Sequence, residues 1–241
     1  RKILQEQSLL GCEAKTLPYL LCQMNLLLHG LDSPQIDSGN SLRFKLSDIG
    51  ERERVDIILT NPPFGGEEEK GIQGNFPEDK QTAETALLFL QLIMRKLRRQ
   101  GGQARAAVIV PNGTLYEDGV PQRIREELLT EFNLHTIVRF PKGVFEPYTD
   151  IATNVLFFDR NGPTQSVWFY EHPLPPHRAH LKGKSYSATD GIQFAEFAPI
   201  LQWWQDRKST EHAWLVKAES LKESGFDLAL NHPKHAKVSL P

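Results

Sequence analysis

Two short apolar runs set the fold class. Residues 55–59 read Val-Asp-Ile-Ile-Leu and residues 106–110 read Ala-Ala-Val-Ile-Val, both too short for a helix and rich in β-branched side chains. Runs of this kind are strands buried on both faces, inside a sheet covered by helices. Between them, Ala86, Leu87, Leu90, Ile93, Met94 and Leu97 recur at helical spacing over residues 82–99, and Gly101-Gly102 supplies a stop. Residues 121–132 repeat the helical pattern with Ile124, Leu128 and Leu129 on one face, and residues 134–140 and 153–158 read as further strands. Asn161-Gly162 is a turn signal, so residues 153–158 and 166–170 predict a hairpin. The expected fold is therefore an α/β sheet whose later edge is antiparallel.

The flanking segments are less regular. Residues 17–29 are apolar on most sides, with Pro18 near the first turn and Gly30 at the end, and predict a buried helix. Cys12 and Cys22 sit in apolar surroundings without zinc-ligand spacing, which predicts core positions. Residues 31–39 read as a loop, and residues 65–81, with abundant Gly and Glu and no apolar period, as a mobile surface flap on the substrate side. Residues 172–187 are rich in Pro, His and Lys and predict irregular chain. A helix over residues 194–206 carries Trp203 and Trp204, read as core or interface anchors, before a tail that grows polar from Gly225. The division expected is residues 1–171 as a sheet domain and residues 172–241 as an irregular segment with a helical and extended tail.

With 241 residues, 39% hydrophobic and 24% charged, the chain can bury one sizeable core. No apolar run approaches the roughly 18 residues of a membrane span, and residues 1–7 lack a signal-peptide pattern, which predicts a cytoplasmic location. The formal net charge of −2 is low for a protein that grips nucleic acid by its phosphates. Either the basic residues are clustered or a partner supplies the grip.

The most informative stretch is Asn61-Pro62-Pro63-Phe64, directly after the strand at residues 55–60. In open α/β sheets ligands gather at the carboxyl ends of the strands. An exocyclic amine of adenine is a weak nucleophile, because its lone pair is delocalised into the ring. Two acceptors aimed at its two hydrogens would draw the nitrogen toward a tetrahedral geometry. The side-chain oxygen of Asn61 and the main-chain carbonyl of Pro62 can serve, with Pro62 and Pro63 fixing the backbone that directs them. Phe64 offers an aromatic face on which a base turned out of a duplex could stack.

The stretch DIILTNPPFGG (residues 56–66) resembles the catalytic motif of amino-methyltransferases, and the wider pattern is similar to the modification subunit of type I restriction-modification systems. MNLLLHG (residues 24–30), GNSL (residues 39–42), AAVIVPNGTLY (residues 106–116) and FPKGVFEPYTDIATNVLFF (residues 140–158) carry the narrower match. FDLALNHP (residues 226–233) adds a weaker one. The resemblance implies a Rossmann-like class I methyltransferase sheet, mostly parallel with an antiparallel edge hairpin. It further implies S-adenosylmethionine as cofactor, N6 of adenine in DNA as acceptor, and specificity and restriction subunits as partners. Carried over by position, it implies that Glu13 holds the ribose hydroxyls, that Asn40 contacts the cofactor's adenine, and that Asn61 touches the cofactor as well as the amine. One of Phe145 or Tyr148 then closes the other side of the flipped base, and Pro111-Asn112-Gly113 shapes the pocket wall, although turn chemistry also accounts for those three residues. The family's glycine-rich cofactor loop has no counterpart before Gly11, so the sequence is expected to be N-terminally truncated, without the first strand of its sheet and with activity of the fragment in question. Alternatives with the same motif are methylation of a protein amide or an RNA amine, or a non-catalytic module that binds DNA or a partner.

Other signals carry less. Gly183-Lys184-Ser185 mimics the end of a phosphate loop, but Arg178 stands where the first glycine is needed. His172, His177 and His180 share a Pro-rich segment without carboxylate or thiolate partners and read as exposed loop histidines, not metal ligands. Arg95, Lys96, Arg98 and Arg99 end a helix, where cations complement its dipole; a phosphate-contacting edge is the other reading.

Overall fold

In chain order the elements are α1 (Lys2–Glu6), β1 (Leu10–Cys12), α2 (Thr16–Leu28), β2 (Gln35–Asp37), β3 (Ile57–Thr60), α3 (Lys70–Gln73), α4 (Thr85–Lys96), β4 (Arg105–Pro111), α5 (Val120–Glu131), β5 (Asn133–Arg139), β6 (Thr153–Asp159), β7 (Ser166–Glu171), α6 (Ala198–Gln205), β8 (Ala213–Lys217) and α7 (Ala218–Glu223). They come from a computed structural model that describes residues 2–99, 104–178 and 186–233. The proposed helix stop Gly101-Gly102, the phosphate-loop mimic at residues 183–185 and His180 lie outside the described residues, as does the side chain of His177.

Six strands form one mixed sheet in the order β3-β4-β6-β5-β7-β8. The pairs β3/β4 and β5/β7 are parallel, whereas β4/β6, β5/β6 and β7/β8 are antiparallel. Strands β1 and β2 pair in parallel as a separate two-stranded sheet. The main core lies where α4 and α5 cover the inner strands, around Leu90, Val108, Leu128, Ile137 and Phe158. A second cluster on the other face joins Val138, Tyr170 and Ala213 to Ile200 and Trp203 of α6, so Trp203 is a core anchor and Trp204 packs beside it.

Several sequence expectations need correction. The antiparallel edge exists, but as β7/β8; residues 153–158 and 166–170 form no hairpin, because β6 lies between β4 and β5 and β7 runs along the other flank of β5. Thr164 directs that crossover. Its hydroxyl donates to Phe132 O and accepts from Leu134 N, both at 2.8 Å, pinning the connection across the start of β5. Strand β4 alternates between buried and half-buried residues, and β3 is an edge strand with Leu59 77% exposed, so neither is buried on both faces. The helix α2 forms as expected but buries none of its residues, and Cys12 is exposed while Cys22 is half-buried. A short apolar pattern reports helicity, not what the helix faces.

The expected loop at residues 31–39 contains β2. The expected mobile flap at residues 65–81 contains α3 and is stitched down: Glu68 N donates to Ala83 O at 2.8 Å, Leu46 N to Asn75 O at 2.9 Å, and Phe76 is buried against Leu42, Leu88 and Leu92. His172 is buried rather than exposed. The polar tail is held as well, since Leu228 is fully buried and its N–H donates to Leu115 O at 2.8 Å. Buried Arg125 donates through Nε to Phe226 O at 2.7 Å and through one terminal nitrogen to Thr114 O and Glu117 O at 3.0 and 2.9 Å. Among the described residues no helix is long and apolar enough to cross a membrane.

Candidate active site

Strand β3 is four residues long and ends at Thr60, so Asn61 leaves the sheet at its carboxyl end. Asn61 and Pro63 are exposed, Pro62 is buried and Phe64 is half-buried. The tetrapeptide thus anchors through one proline and one ring while its amide side chain faces outward. Gly65 takes φ +69°, a left-handed turn that suits glycine. Gly66 follows and accepts from Thr85 N at 3.0 Å, and a Cβ on it would come within 2.9 Å of Thr85 Oγ1. The turn is therefore docked on the amino end of α4.

The aromatic partner comes from the loop between β5 and β6. Phe145 meets Phe64 with ring centroids 6.2 Å apart and planes at 74°, an edge-to-face pair. Tyr148 points away and is 92% exposed. The loop is built by tight turns, with Glu146 N donating to Gly143 O at 3.1 Å and Tyr148 N to Phe145 O at 2.9 Å. Gly143, at φ +81°, lies so close to Tyr186 that a Cβ would sit 2.3 Å from its carbonyl oxygen. Behind the loop, Asn154 is buried and donates to Asn112 Oδ1 at 3.4 Å, joining β6 to the Pro111-Asn112-Gly113 turn.

The expected cofactor residues lie just past the strands of the two-stranded sheet. Glu13 follows β1; its Oε1 accepts from Lys15 N at 2.8 Å, which leaves the other carboxylate oxygen for hydroxyl groups. Asn40 forms a local turn in which Oδ1 accepts from Leu42 N at 2.8 Å, while its Nδ2 reaches Glu68 at 3.4 Å. Its amide is thus shared between a turn and the loop after the tetrapeptide. Asp37, which sequence reasoning passed over, ends β2 and pairs with Arg43 at 2.6 Å. That guanidinium, and then the Gly39 amide, hold the Asp37 carboxyl below the usual carboxylate range. A Cβ on Gly39 would come within 1.9 Å of the Arg43 guanidinium. The donor and acceptor set suits a ribose and a purine edge: a carboxylate, an amide and a turn closed to any side chain at Gly39. No signal of spacing could have found Asp37, because three-residue strands carry no period. Glu84, at the start of α4, is a second missed group; burial, then the charge of Glu117, pushes its carboxyl pKa up. Among the described residues no cluster of His, Cys, Asp or Glu could hold a metal ion.

A family model for N-6 DNA Methylase matches residues 2–239. The chain belongs to the N-6 DNA methylase family. It is 48% identical over 240 residues to the Escherichia coli type I restriction enzyme EcoEI methylase subunit, covering 96% of this chain and 47% of that protein. It is also 37% identical over 164 residues to the EcoKI methylase subunit of Escherichia coli strain K12, over 63% of this chain and 30% of that protein. Among solved structures it matches the modification subunit of a putative type I restriction enzyme from Vibrio vulnificus YJ016, with 57% identity and a TM-score of 0.88 over 96% of this chain and 49% of that one. The chain spans about half the length of these relatives at most. The architecture is the class I methyltransferase fold of this N-6 DNA methylase family, and the Asn-Pro-Pro-Phe tetrapeptide follows the carboxyl end of β3.

Proposed function

We propose that this chain carries the methyl-transfer site of a modification subunit, with N6 of an adenine in DNA as acceptor and S-adenosylmethionine as donor. The observation that carries the reading is the placement of exposed Asn61 at the tip of β3, beside the paired rings of Phe64 and Phe145. An adenine swung out of the duplex stacks on Phe64, which offsets the loss of base stacking by about 1–3 kcal/mol. Asn61 Oδ1 and the Pro62 carbonyl accept the two amine hydrogens and localise the lone pair on nitrogen. When bound, the cofactor supplies an electrophilic sulfonium methyl group. Glu13 would hold its ribose hydroxyls, and Asn40, through the second N–H of its amide, its purine edge. Phe145 braces Phe64 from the side, and Asn112 and Asn154 fix the opposite wall. Catalysis is positioning and hydrogen bonding: no general base is required to start it, and the surplus proton left on the methylated nitrogen would pass to solvent at the exposed Asn61 side of the site.

The parallel edge of β3 away from β4 is unpaired among the described residues, and the β1/β2 sheet stands apart from it. Recognition of a DNA sequence and its restriction would come from specificity and restriction subunits of the same system, in the cytoplasm. This agrees with the slightly acidic net charge of the chain.

Asn61→Ala in the complete protein tests the reading. Transfer of labelled methyl groups to duplex DNA should fall by about 10²–10³-fold. The melting temperature should hold, because the side chain is exposed. Near-normal methylation would overturn the mechanism.

A further inference from the structure

At the end of the sheet opposite Asn61 lies a cavity of about 670 Å³. Val55 N donates to Lys96 O at 2.9 Å, so the carboxyl end of α4 meets the chain just ahead of β3. Asn61 is six residues further on, about 20 Å away at strand rise. No ligand in this cavity can be the methyl acceptor held by the tetrapeptide.

The lining is cationic: Lys45, Lys80, Arg95, Arg99 and Arg160 stand against Glu127 and Glu131, a surplus of three positive charges. Lys80 and Glu127 already pair at 2.5 Å. The carboxyl ends of α4 and α5 bring about half a negative charge each, which still leaves a surplus of about two. Capping of helix ends therefore does not use up the cations that the sequence places here. Two of the guanidiniums are preoriented by main-chain carbonyls, Arg95 Nε donating to Leu46 O and Arg160 Nη2 to Met94 O, each at 2.9 Å. Among the described residues the Nε of Arg160 is buried without a partner, and its guanidinium lies 4.3 Å from the centre of the Phe132 ring. Burial, followed by the charges of Arg54 and Arg99, holds the Arg160 pKa below the usual arginine range.

We propose that this cavity binds a small anion carrying two or more phosphate groups. The volume falls in the ~300–1,000 Å³ range of small-molecule sites. Fixed guanidinium forks match phosphate oxygens in geometry as well as charge. A concave basin with a half-buried arginine suits a compact polyphosphate better than a duplex backbone, which needs an open basic ridge.

Titration calorimetry of the intact protein with inorganic triphosphate and with inorganic phosphate tests this, alongside a DNA duplex lacking adenine. Triphosphate should bind with a Kd below about 1 mM, tighter than phosphate, and weaken as salt is added. The double variant Lys45→Glu with Arg99→Glu changes only exposed side chains of the lining and should weaken triphosphate by about tenfold or more. Lys222→Glu, exposed on α7 and outside the cavity, serves as a charge control and should not. Failure of triphosphate to bind, equal losses in both variants, or loss of duplex binding alone would each overturn the proposal. A failure here leaves the methyl-transfer reading untouched, since Asn61 is not part of the cavity.

Discussion

Phe145 meets Phe64 in an edge-to-face pair, 6.2 Å between ring centroids, and so ties the β5–β6 loop to the tetrapeptide after β3. Of the two aromatic residues expected near the base, the structure brings only this one to Phe64; Tyr148 stands in solvent. Phe145→Ala should therefore lower kcat/KM for methyl transfer by about tenfold, the scale of one edge-to-face contact and part of a stack. Tyr148→Ala should change it less than about twofold if its ring never reaches the base. Steady-state kinetics on duplex DNA decides between them, and the reverse ranking would mean that the loop reorganises on binding.

Gly39 should matter for the cofactor more than for the fold. A methyl group there collides with the Arg43 guanidinium, which is the far end of a flexible side chain and can swing aside. Doing so releases its bond to Asp37 at the end of β2. Gly39→Ala is expected to leave the melting temperature nearly unchanged and to raise the dissociation constant for S-adenosylmethionine several-fold in the complete protein. Unaltered affinity by calorimetry would remove this turn from the cofactor site.

Arg125 is a stability residue. Its guanidinium satisfies carbonyls of Thr114, Glu117 and Phe226, drawn from the turn after β4 and from the C-terminal stretch. Replacement by methionine keeps the packing volume but strands those oxygens in the interior, at a cost of about 3 kcal/mol or more. Urea unfolding should report that loss. A change under about 1 kcal/mol would mean water replaces the guanidinium with little penalty.

Two histidines make the fold acid-sensitive. Burial, helped by Arg207, lowers the pKa of His135, and burial lowers that of His172, whose ring nitrogens are both buried without partners among the described residues. The unfolded chain takes up protons at these sites near pH ~6.5, whereas the folded chain resists them until lower pH. Their stabilising contribution is thus complete above about pH 6.5 and is lost as the pH falls below it. His172→Phe, placed between Phe140 and Phe197, should flatten the fall in melting temperature from neutral pH to about pH 5.5. A slope identical to that of the parent protein would show that His172 titrates normally.

Glu84 acts in the opposite sense. Its carboxyl pKa is raised by burial and by Glu117, so its charge opposes folding at neutral pH and the penalty is relieved on acidification. Glu84→Gln should raise the melting temperature at pH 7, with the gain shrinking toward pH ~4.5. A variant less stable than the parent at pH 7 would mean that the charge serves a contact in the fold.

The placement of the tetrapeptide at a strand end was legible because the signals are contiguous: a β-branched run followed at once by an amide, two prolines and a ring. Helices α4 and α5 and strands β4, β5 and β6 were legible from periodicity for the same local reason. What could not be read depends on distant partners. The position of β7 beside β5 is set by Thr164 bonding to Phe132 and Leu134, and no turn signal at Asn161-Gly162 encodes that. The ordered character of residues 65–81 comes from Phe76 filling a pocket between Leu42 and Leu88, hidden in a stretch whose composition is otherwise that of a flexible loop. The exposure of α2 is equally invisible, since its leucines read the same whether or not a neighbour covers them.

Among the described residues, strand β3 forms the border of its sheet, bonded to β4 along one flank only. The free flank offers a ladder of amides and carbonyls leading straight to Asn61, and an extended segment laid against it would both bond to it and alter its twist. The direction in which Asn61 leaves the sheet would then depend on that neighbour as much as on the prolines that follow it.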